Sequence, residues 1–271
     1  MGEIYRLSMR NHVEKKLQRE EKIYETEQLM KEKRSEEYEV LEEVFDKSTL
    51  MLIYDFMNRG VVDRIYGVVN AGKEARVYWG KDKAGKELAI KIYLTVSAEF
   101  RKGMLKYIEG DHRFKNVKRD TRSLIFAWAQ KEFRNLEQAM AAKVRVPKPI
   151  TVKNNVLIME FIGKDGVSAP SLKEQPPENP DRVYRTLITY LKRLYQKAEL
   201  VHGDISEYNI MMWRGRPVLF DMSQAVPTSH PLADFMLNRD ISNINRFFNR
   251  LGVDILSADE IYRMVTGSGS A

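Results

Sequence analysis

The 271-residue sequence contains no cysteine, which excludes a disulfide-stapled scaffold and favours a reducing, intracellular compartment. It also lacks any apolar run long enough to span a bilayer, and its first residues are too charged for a signal peptide. Arg6 stands where an N-myristoylation site needs Ser or Thr. These absences predict a soluble, cytoplasmic protein that has no membrane partner.

The sequence is long enough to bury a full two-lobed core. Its net charge of +7 suits a polyanionic partner, although a modest excess of Lys and Arg more often serves solubility alone. We do not expect DNA as a partner.

Phosphoryl-transfer chemistry is indicated by the segment 200–209, Leu-Val-His-Gly-Asp-Ile-Ser-Glu-Tyr-Asn, and by an apolar run that ends at Asp221. Asp204 places a carboxylate beside an attacking oxygen, while Asn209, five residues later, offers an amide oxygen to a metal. Mg²⁺ prefers oxygen ligands and keeps several waters, so Asn209 and Asp221 are a sufficient protein contribution. An isolated His-x-Asp with a later Asn also occurs in ordinary surface loops, and further parts of such a site are therefore needed.

One such part is Lys91, the single cation in the apolar strand pattern 88–93. A strand lysine of this kind contacts the α- and β-phosphates of ATP and pairs with a glutamate on a helix. Glu132 is the candidate partner, because it adjoins an apolar stripe with helical spacing. It could equally be a charge at the rim of that helix.

The segment 67–73 matches a Walker A loop, except that Glu74 stands where Ser or Thr should reach Mg²⁺. The residues after Glu74 are typical of a strand, whereas a Walker loop opens a helix. We therefore predict a strand, a loop and a strand. In one interpretation the loop is a plain hairpin turn; in the other its backbone cradles phosphate and Lys73 supplies charge. The loop candidates are Asn70, Ala71, Gly72, Lys73 and Glu74.

The run 156–163 is typical of a buried strand that leads into a chain reversal. In a kinase this position is the hinge that binds adenine. The main chain of Glu160 and Ile162 would hold adenine, and Met159 would set the depth of the pocket. By itself, the run indicates only a core strand.

Taken together, the chain resembles the first subfamily of RIO-type atypical protein kinases, in the short form typical of archaeal members, from about Val61 to Val265. The segments that carry the resemblance are Gly72-Lys73-Glu74-Ala75-x-Val77-Tyr78, Glu132-Phe133-Arg134-Asn135-Leu136, Met159-Glu160-Phe161-Ile162-Gly163, Ser206-Glu207-Tyr208-Asn209 and Asp221-Met222-Ser223-Gln224.

The resemblance implies an α+β, two-lobed protein-kinase-like fold with an antiparallel N-lobe, a truncated and mainly helical C-lobe, and an N-terminal helical extension. It implies ATP and Mg²⁺ as cofactors, with Mn²⁺ as a substitute, and Val77 among the nucleotide contacts. Lys91, Asp204 and Asp221 are the implied catalytic residues. Autophosphorylation on Ser or Thr, an ATPase cycle that transiently phosphorylates Asp221, and a role on the small ribosomal subunit or its precursor are also implied.

We expect four regions along the chain. Residues 1–60 form the helical extension, in which Ser48 caps a helix that Gly60 ends; 61–162 form the N-lobe; 163–265 form the C-lobe; and 266–271 are a flexible linker remnant. Within the N-lobe, 97–123 is expected to be a flexible insertion. Its cations and its rings Phe100, Tyr107 and Phe114 suit RNA, although a solvated loop explains them equally well.

About fifty residues follow Asp221, and they contain no Ala-Pro-Glu segment and no long activation loop. We therefore expect poor turnover of free peptides. Two alternatives to a protein kinase remain at this point: a small-molecule kinase of the aminoglycoside-phosphotransferase type, and a nucleotide-gated, ribosome-binding scaffold with little turnover. An acidic substrate pocket in the C-lobe would favour the first, but only scattered acids occur there.

Overall fold

The computed structural model describes residues 45–95 and 98–268, without the side chains of 98–102. Most of the predicted N-terminal extension therefore lies outside the described residues. Helix α1 spans Lys47–Asn58. Its N-cap is Asp46, whose carboxylate accepts the Thr49 amide at 3.0 Å, so the prediction that Ser48 caps this helix was wrong. Gly60 has a φ of 72° and follows the helix end, as predicted.

The N-lobe contains a five-stranded antiparallel sheet in the order β1-β2-β3-β5-β4. Its strands are β1 (Arg64–Ala71), β2 (Ala75–Lys81), β3 (Glu87–Tyr93), β4 (Pro149–Lys153) and β5 (Val156–Glu160). The apolar residues of β3 are buried, because that strand lies in the middle of the sheet. Lys91 is opposite Val77 on one neighbouring strand and Leu157 on the other.

The segment 97–123 differs from the flexible insertion that we predicted. It contains helix α2 (Ala98–Ile108), a 3₁₀ turn (His112–Phe114) and the start of helix α3 (Thr121–Ala141), which Asp120 caps. The rings of Tyr107 and Phe114 are buried against the core. They therefore cannot stack on RNA bases. The segment forms regular structure because its apolar side chains pack into the N-lobe.

After β5 a short pair of strands, β6 (Gly163–Lys164) and β7 (Val167–Ser168), leads towards the C-lobe. That lobe contains helices α4 (Pro180–Ala198), α5 (Ala233–Arg250) and α6 (Ala258–Thr266). Asn179 caps α4 and Pro180 begins it. The strands β8 (Leu200–Val201) and β11 (Val226–Pro227) pair with each other, as do β9 (Ile210–Trp213) and β10 (Arg216–Leu219).

Within the described part of the chain, none of the helices is both long enough and apolar enough to cross a membrane.

Candidate active site

The β9–β10 hairpin brings Asn209 and Asp221 to the same end of two neighbouring strands. Leu219 pairs with Ile210, and the Phe220 amide donates to the Asn209 carbonyl at 3.2 Å. The hairpin reverses at Arg214 and Gly215, whose positive φ values of 51° and 72° suit a two-residue turn. A tight turn between strands of equal length thus places an amide and a carboxylate side by side at the mouth of the C-lobe.

Lys91 links the two lobes through two carboxylates. Its Nζ lies 2.8 Å from Oε1 of Glu132 on α3 and 3.0 Å from Oδ1 of Asp221. The other oxygen of Glu132 accepts the hydroxyl of Tyr93. Lys91 and Glu132 are both buried, so the ion pair is shielded from solvent screening. The structure therefore forms the strand-lysine and helix-glutamate pair that the sequence suggested.

These contacts set the charge state of the cluster. Burial favours the neutral form of Lys91, but Asp221 and Glu132 outweigh it and raise the Lys91 pKa above its ordinary value. Burial likewise opposes the charge on Asp221, yet the adjacent Lys91 ammonium lowers the Asp221 pKa to about 2. Asp221 is therefore a carboxylate at neutral pH and is able to hold a cation.

Asp204 and Asn209 interact directly. The Asn209 amide nitrogen donates to the Asp204 carbonyl and to its carboxylate, both at 2.9 Å. The Asn209 side-chain oxygen takes no part in these two bonds, which leaves it available to a metal. Burial, together with the negative charge of Asp221, raises the Asp204 pKa. A raised pKa suits a group that accepts a proton from an attacking hydroxyl or water.

Asp240, whose role the sequence did not reveal, anchors the loop 202–209 that carries Asp204 and Asn209. We call this segment the catalytic loop. The Asp240 carboxylate accepts the amides of Gly203 at 2.8 Å and Ile205 at 2.9 Å, the residues on either side of Asp204. Burial raises the Asp240 pKa to about 7, although both amide bonds favour its charged form. Helical spacing would have flagged Asp240, because it lies four residues from both Met236 and Ile244 on the buried face of α5.

The segment after Asp221 is held by α3, and the sequence did not reveal this role either. Asp221 has a φ of 58°, and the backbone beyond it forms a 3₁₀ turn (Met222–Gln224). Lys131 donates to the Ser223 carbonyl at 2.7 Å, and Asn135 donates to the Met222 carbonyl at 2.8 Å. Both side chains are buried, so α3 fixes the backbone next to Asp221 as well as supplying Glu132.

A cleft of about 570 Å³ opens between the lobes in front of Lys91 and Asp221. Of the residues predicted to contact nucleotide, Asn70, Gly72, Lys73, Glu74, Val77, Met159, Glu160 and Ile162 line it. Ala71 is exposed and does not line the cleft, and the other predicted contacts Glu132 and Asn209 do not line it either. The lining also includes residues that we did not predict, among them Ala89, Phe161, Met211 and Phe220.

The hinge end of the cleft suits a purine ring. The Glu160 side chain turns away and pairs with Arg145 at 2.7 Å, so only its main chain is left for a ligand. Within the described chain, the Ile162 amide donates to no backbone carbonyl. Adenine recognition by the main chain of Glu160 and Ile162 stays a prediction, and an apolar slot with one available amide is compatible with it.

The donor set fits Mg²⁺ rather than a metal held by protein alone. Across residues 45–95 and 98–268, no group of three or more His, Cys, Asp or Glu side chains is arranged to bind a metal. Asn209 and Asp221 supply one amide and one carboxylate oxygen, and Mg²⁺ commonly takes its remaining oxygens from phosphate and water.

Comparison with known proteins now identifies this arrangement. Residues 76–261 match the family model described as the RIO domain. The chain is 42% identical over 238 residues to the RIO-type serine/threonine-protein kinase Rio1 of Haloferax volcanii, covering 88% of this chain and 81% of that protein. The chain belongs to the RIO family of protein kinases.

Two further relatives place it in the first RIO subfamily. It is 42% identical to Rio1 of Methanocaldococcus jannaschii over 246 residues, covering 90% of this chain and 83% of that one. It is 39% identical to human serine/threonine-protein kinase RIO1 over 230 residues, covering 83% of this chain and 40% of the human protein. The RIO chain thus spans most of the archaeal relatives and less than half of the human one.

Its fold is similar to that of the Rio2 kinase from Chaetomium thermophilum, solved as an ADP/Mg²⁺-phosphoaspartate complex. The TM-score is 0.60 at 23% identity, covering 82% of this chain and 67% of that one. This likeness supports the predicted α+β kinase fold. As a RIO kinase the chain is an atypical serine/threonine protein kinase, and membership of a kinase family implies ATP and Mg²⁺.

Proposed function

We propose that this RIO kinase is both an ATPase and an autophosphorylating kinase, and that it acts in the cytoplasm during maturation of the small ribosomal subunit. The observation that carries the enzymatic part is the ion-pair cluster of Lys91, Glu132 and Asp221 at the floor of the cleft. A scaffold that only binds nucleotide has no need of an ionised Asp221 next to Asp204.

Each residue has a defined part in the proposed reaction. Lys91, fixed by Glu132, neutralises the α- and β-phosphates, and Asn209 with Asp221 holds the metal. When held by Asn209 and Asp221, Mg²⁺, or Mn²⁺ as a substitute, would offset the charge that develops on the phosphates. Asp204 orients the nucleophile and accepts its proton. Its raised pKa makes it a stronger proton acceptor than an ordinary aspartate.

Asp221 is proposed to carry the phosphoryl group transiently during hydrolysis. Its low pKa keeps an oxygen deprotonated and nucleophilic. In the first step a bond forms between this oxygen and the γ-phosphorus, and the bond to the leaving ADP oxygen breaks. Water, positioned by Asp204, then attacks phosphorus and releases phosphate, which restores the carboxylate.

Hydroxylamine separates this cycle from autophosphorylation. In single-turnover reactions with γ-labelled ATP, an acyl phosphate on Asp221 is cleaved by hydroxylamine, whereas phosphoserine and phosphothreonine resist it. We expect a hydroxylamine-sensitive label on the unchanged protein and none on Asp221→Asn. A label that is wholly resistant in the unchanged protein would rule out the phospho-Asp221 step and leave the kinase assignment intact.

Adding purified small ribosomal subunits to the same assay tests the proposed partner. The exposed cations Lys115, Lys118 and Arg119, at the end of the 97–123 segment, are candidates for rRNA contact. Reversing these three charges should weaken binding to ribosomal particles and leave ATP affinity unchanged. Unaltered particle binding would remove this segment from the interface.

A further inference from the structure

A second cavity, of about 810 Å³, lies beside the hinge. It shares Glu160 and Phe161 with the nucleotide cleft, but its other lining residues are different. Six of them are cations, contributed by both lobes: Lys86, Lys143, Arg145, Arg193, Arg214 and Arg216.

This cavity continues along the outer side of α4. Two neighbouring depressions connect with it, because the first shares Arg193 and Arg216 with the cavity and the second shares Arg182 with the first. They add the cations Arg182 and Arg185. From Arg182 to Arg193 the helix rises by about 16 Å. We call this continuous surface, defined by its eight cations, the α4 groove.

The positive charge of the α4 groove is mostly uncompensated. Three carboxylates also line the groove, so eight cations face three acids: Glu87, Asp181 and Glu160, the last of which pairs with Arg145. Elsewhere, Arg193 donates to the Lys143 carbonyl and Arg214 lies over the Trp213 ring at 5.4 Å, neither of which removes charge. Within the described residues, no carboxylate is in ion-pair distance of Lys86, Arg185 or Arg216, and all three are exposed.

We propose that the α4 groove binds single-stranded RNA through its phosphate backbone. Arginine supplies six of the eight cations, and its planar fork matches phosphate oxygens better than the compact ammonium of lysine does. The partly exposed Trp213 ring offers a stacking surface for an unpaired base. A long groove with cations along its length suits a polymer that carries a negative charge on every unit, such as the phosphate backbone of RNA, better than it suits a single small anion. The choice of RNA over DNA rests on the proposed ribosomal role.

The test is a charge reversal in the groove. The triple variant Lys86→Glu, Arg185→Glu, Arg216→Glu changes three exposed cations whose side chains make no described hydrogen bond or ion pair. The matched control, Lys83→Glu, Lys197→Glu, Arg250→Glu, makes the same change in net charge at exposed positions outside the groove. Binding of a fluorescent 12-nucleotide single-stranded RNA is measured by anisotropy at several salt concentrations.

We expect the groove variant to lose about tenfold or more in affinity. Its slope of log affinity against log salt should fall by about 2, since each lost phosphate contact of a single strand contributes about 0.7. The control should lose much less. Equal losses in both variants would show a response to overall charge and would overturn the groove.

Three competitors identify the ligand. Single-stranded DNA, duplex RNA and a polyglutamate peptide of equal charge should each compete less well than the unlabelled single-stranded RNA. If any of them competes equally, the assignment to single-stranded RNA is wrong. ATP hydrolysis is measured on the same samples, so that failure of the unchanged protein to bind RNA, with normal turnover, refutes only the groove. If the unchanged protein binds RNA but does not hydrolyse ATP, only the proposed function is refuted.

Discussion

The two halves of the active site differ in how completely they are assembled. On the phosphate side, Lys91, Glu132 and Asp221 form a closed network in which both basic and acidic groups have partners. On the catalytic-loop side, Asn209 is the only hydrogen-bond partner of the Asp204 side chain among the described residues, and Asp240 holds the backbone on either side of Asp204. The first half draws its stability from buried charge pairing, and the second from backbone anchoring.

The difference implies that the two halves respond differently to change. A buried ion pair becomes costly when one partner is removed, because the remaining charge is left without compensation. A half-buried side chain such as Asp204 can be lost with little effect on folding. We therefore expect damage to the phosphate side to appear as lost stability, and damage to the catalytic loop to appear as lost turnover.

The largest effect on stability should come from Lys91→Met, which keeps the apolar stem and removes the ammonium. Glu132 then remains buried without a counter-ion, so the free energy of unfolding should fall by about 3–5 kcal/mol. Denaturant unfolding measures the change. Lys83→Met, in an exposed turn, is the control. The double variant Lys91→Met, Glu132→Gln should recover part of the loss, and a single variant of unchanged stability would contradict the network.

For Asp204→Ala we expect ATP turnover to fall by about 10³-fold, within the range usual for a general base. Nucleotide affinity and the free energy of unfolding should change little, because Asp204 is only half-buried and belongs to neither ion pair. Single-turnover hydrolysis and nucleotide titration measure the two quantities. Asp181→Ala is a control at an exposed acid. Hydrolysis at the normal rate by Asp204→Ala would show that another group is the base.

Protonation of His202 should destabilise the fold at a higher pH than protonation of Asp221, whereas the raised pKa of Asp240 acts in the opposite direction. Burial lowers the pKa of His202 to about 4. The unfolded chain binds the proton more readily, so the stabilisation is complete above about pH 6.5 and is lost as the pH falls towards 4, by about 3 kcal/mol in total. The Asp221 contribution, by contrast, is lost only as the pH falls below about 4.

Denaturant unfolding from pH 7 to 4 tests this order. His202→Phe should remove the part of the pH dependence that His202 causes. His112→Phe, an exposed histidine, should retain it. Identical pH profiles for the unchanged protein and His202→Phe would be inconsistent with a buried neutral imidazole.

The smallest effect is expected for Asp240→Asn. One of the two loop amides then faces an NH₂ group, which costs about 1–3 kcal/mol for an unsatisfied buried donor. Since Asp240 positions Asp204, the turnover number should fall while the KM for ATP stays the same. Asp254→Asn, at an exposed acid, is the control. A change confined to KM would mean that Asp240 does not act through the catalytic loop.

Much of the site could be predicted because its chemistry resides in short segments. Three local patterns each indicated one function. The spacing of Asp204 and Asn209 indicated a catalytic loop, the lone cation at Lys91 indicated a phosphate contact, and the apolar strand 156–163 indicated a hinge. Asp240 and Lys131 were missed. Helical spacing indicates that Asp240 lies on the buried face of its helix, but the role of such a residue can be assigned only when its partner is known. We predicted a flexible loop for the 97–123 segment because charged residues dominate it. The few buried rings that anchor it to the core, Tyr107 and Phe114, are outnumbered in the sequence.

The sequence by itself determined the inventory of the reaction: one strand lysine, one helix glutamate, and a carboxylate–amide pair on a loop. Only the tertiary structure decided which groups meet. Lys91 contacts Glu132 and Asp221 across separations of 41 and 130 residues. Such contacts depend on how lobes, helices and hairpin pack together, and local sequence does not encode packing. For the same reason the α4 groove, which gathers cations from four separate stretches of chain, is visible only in the folded protein.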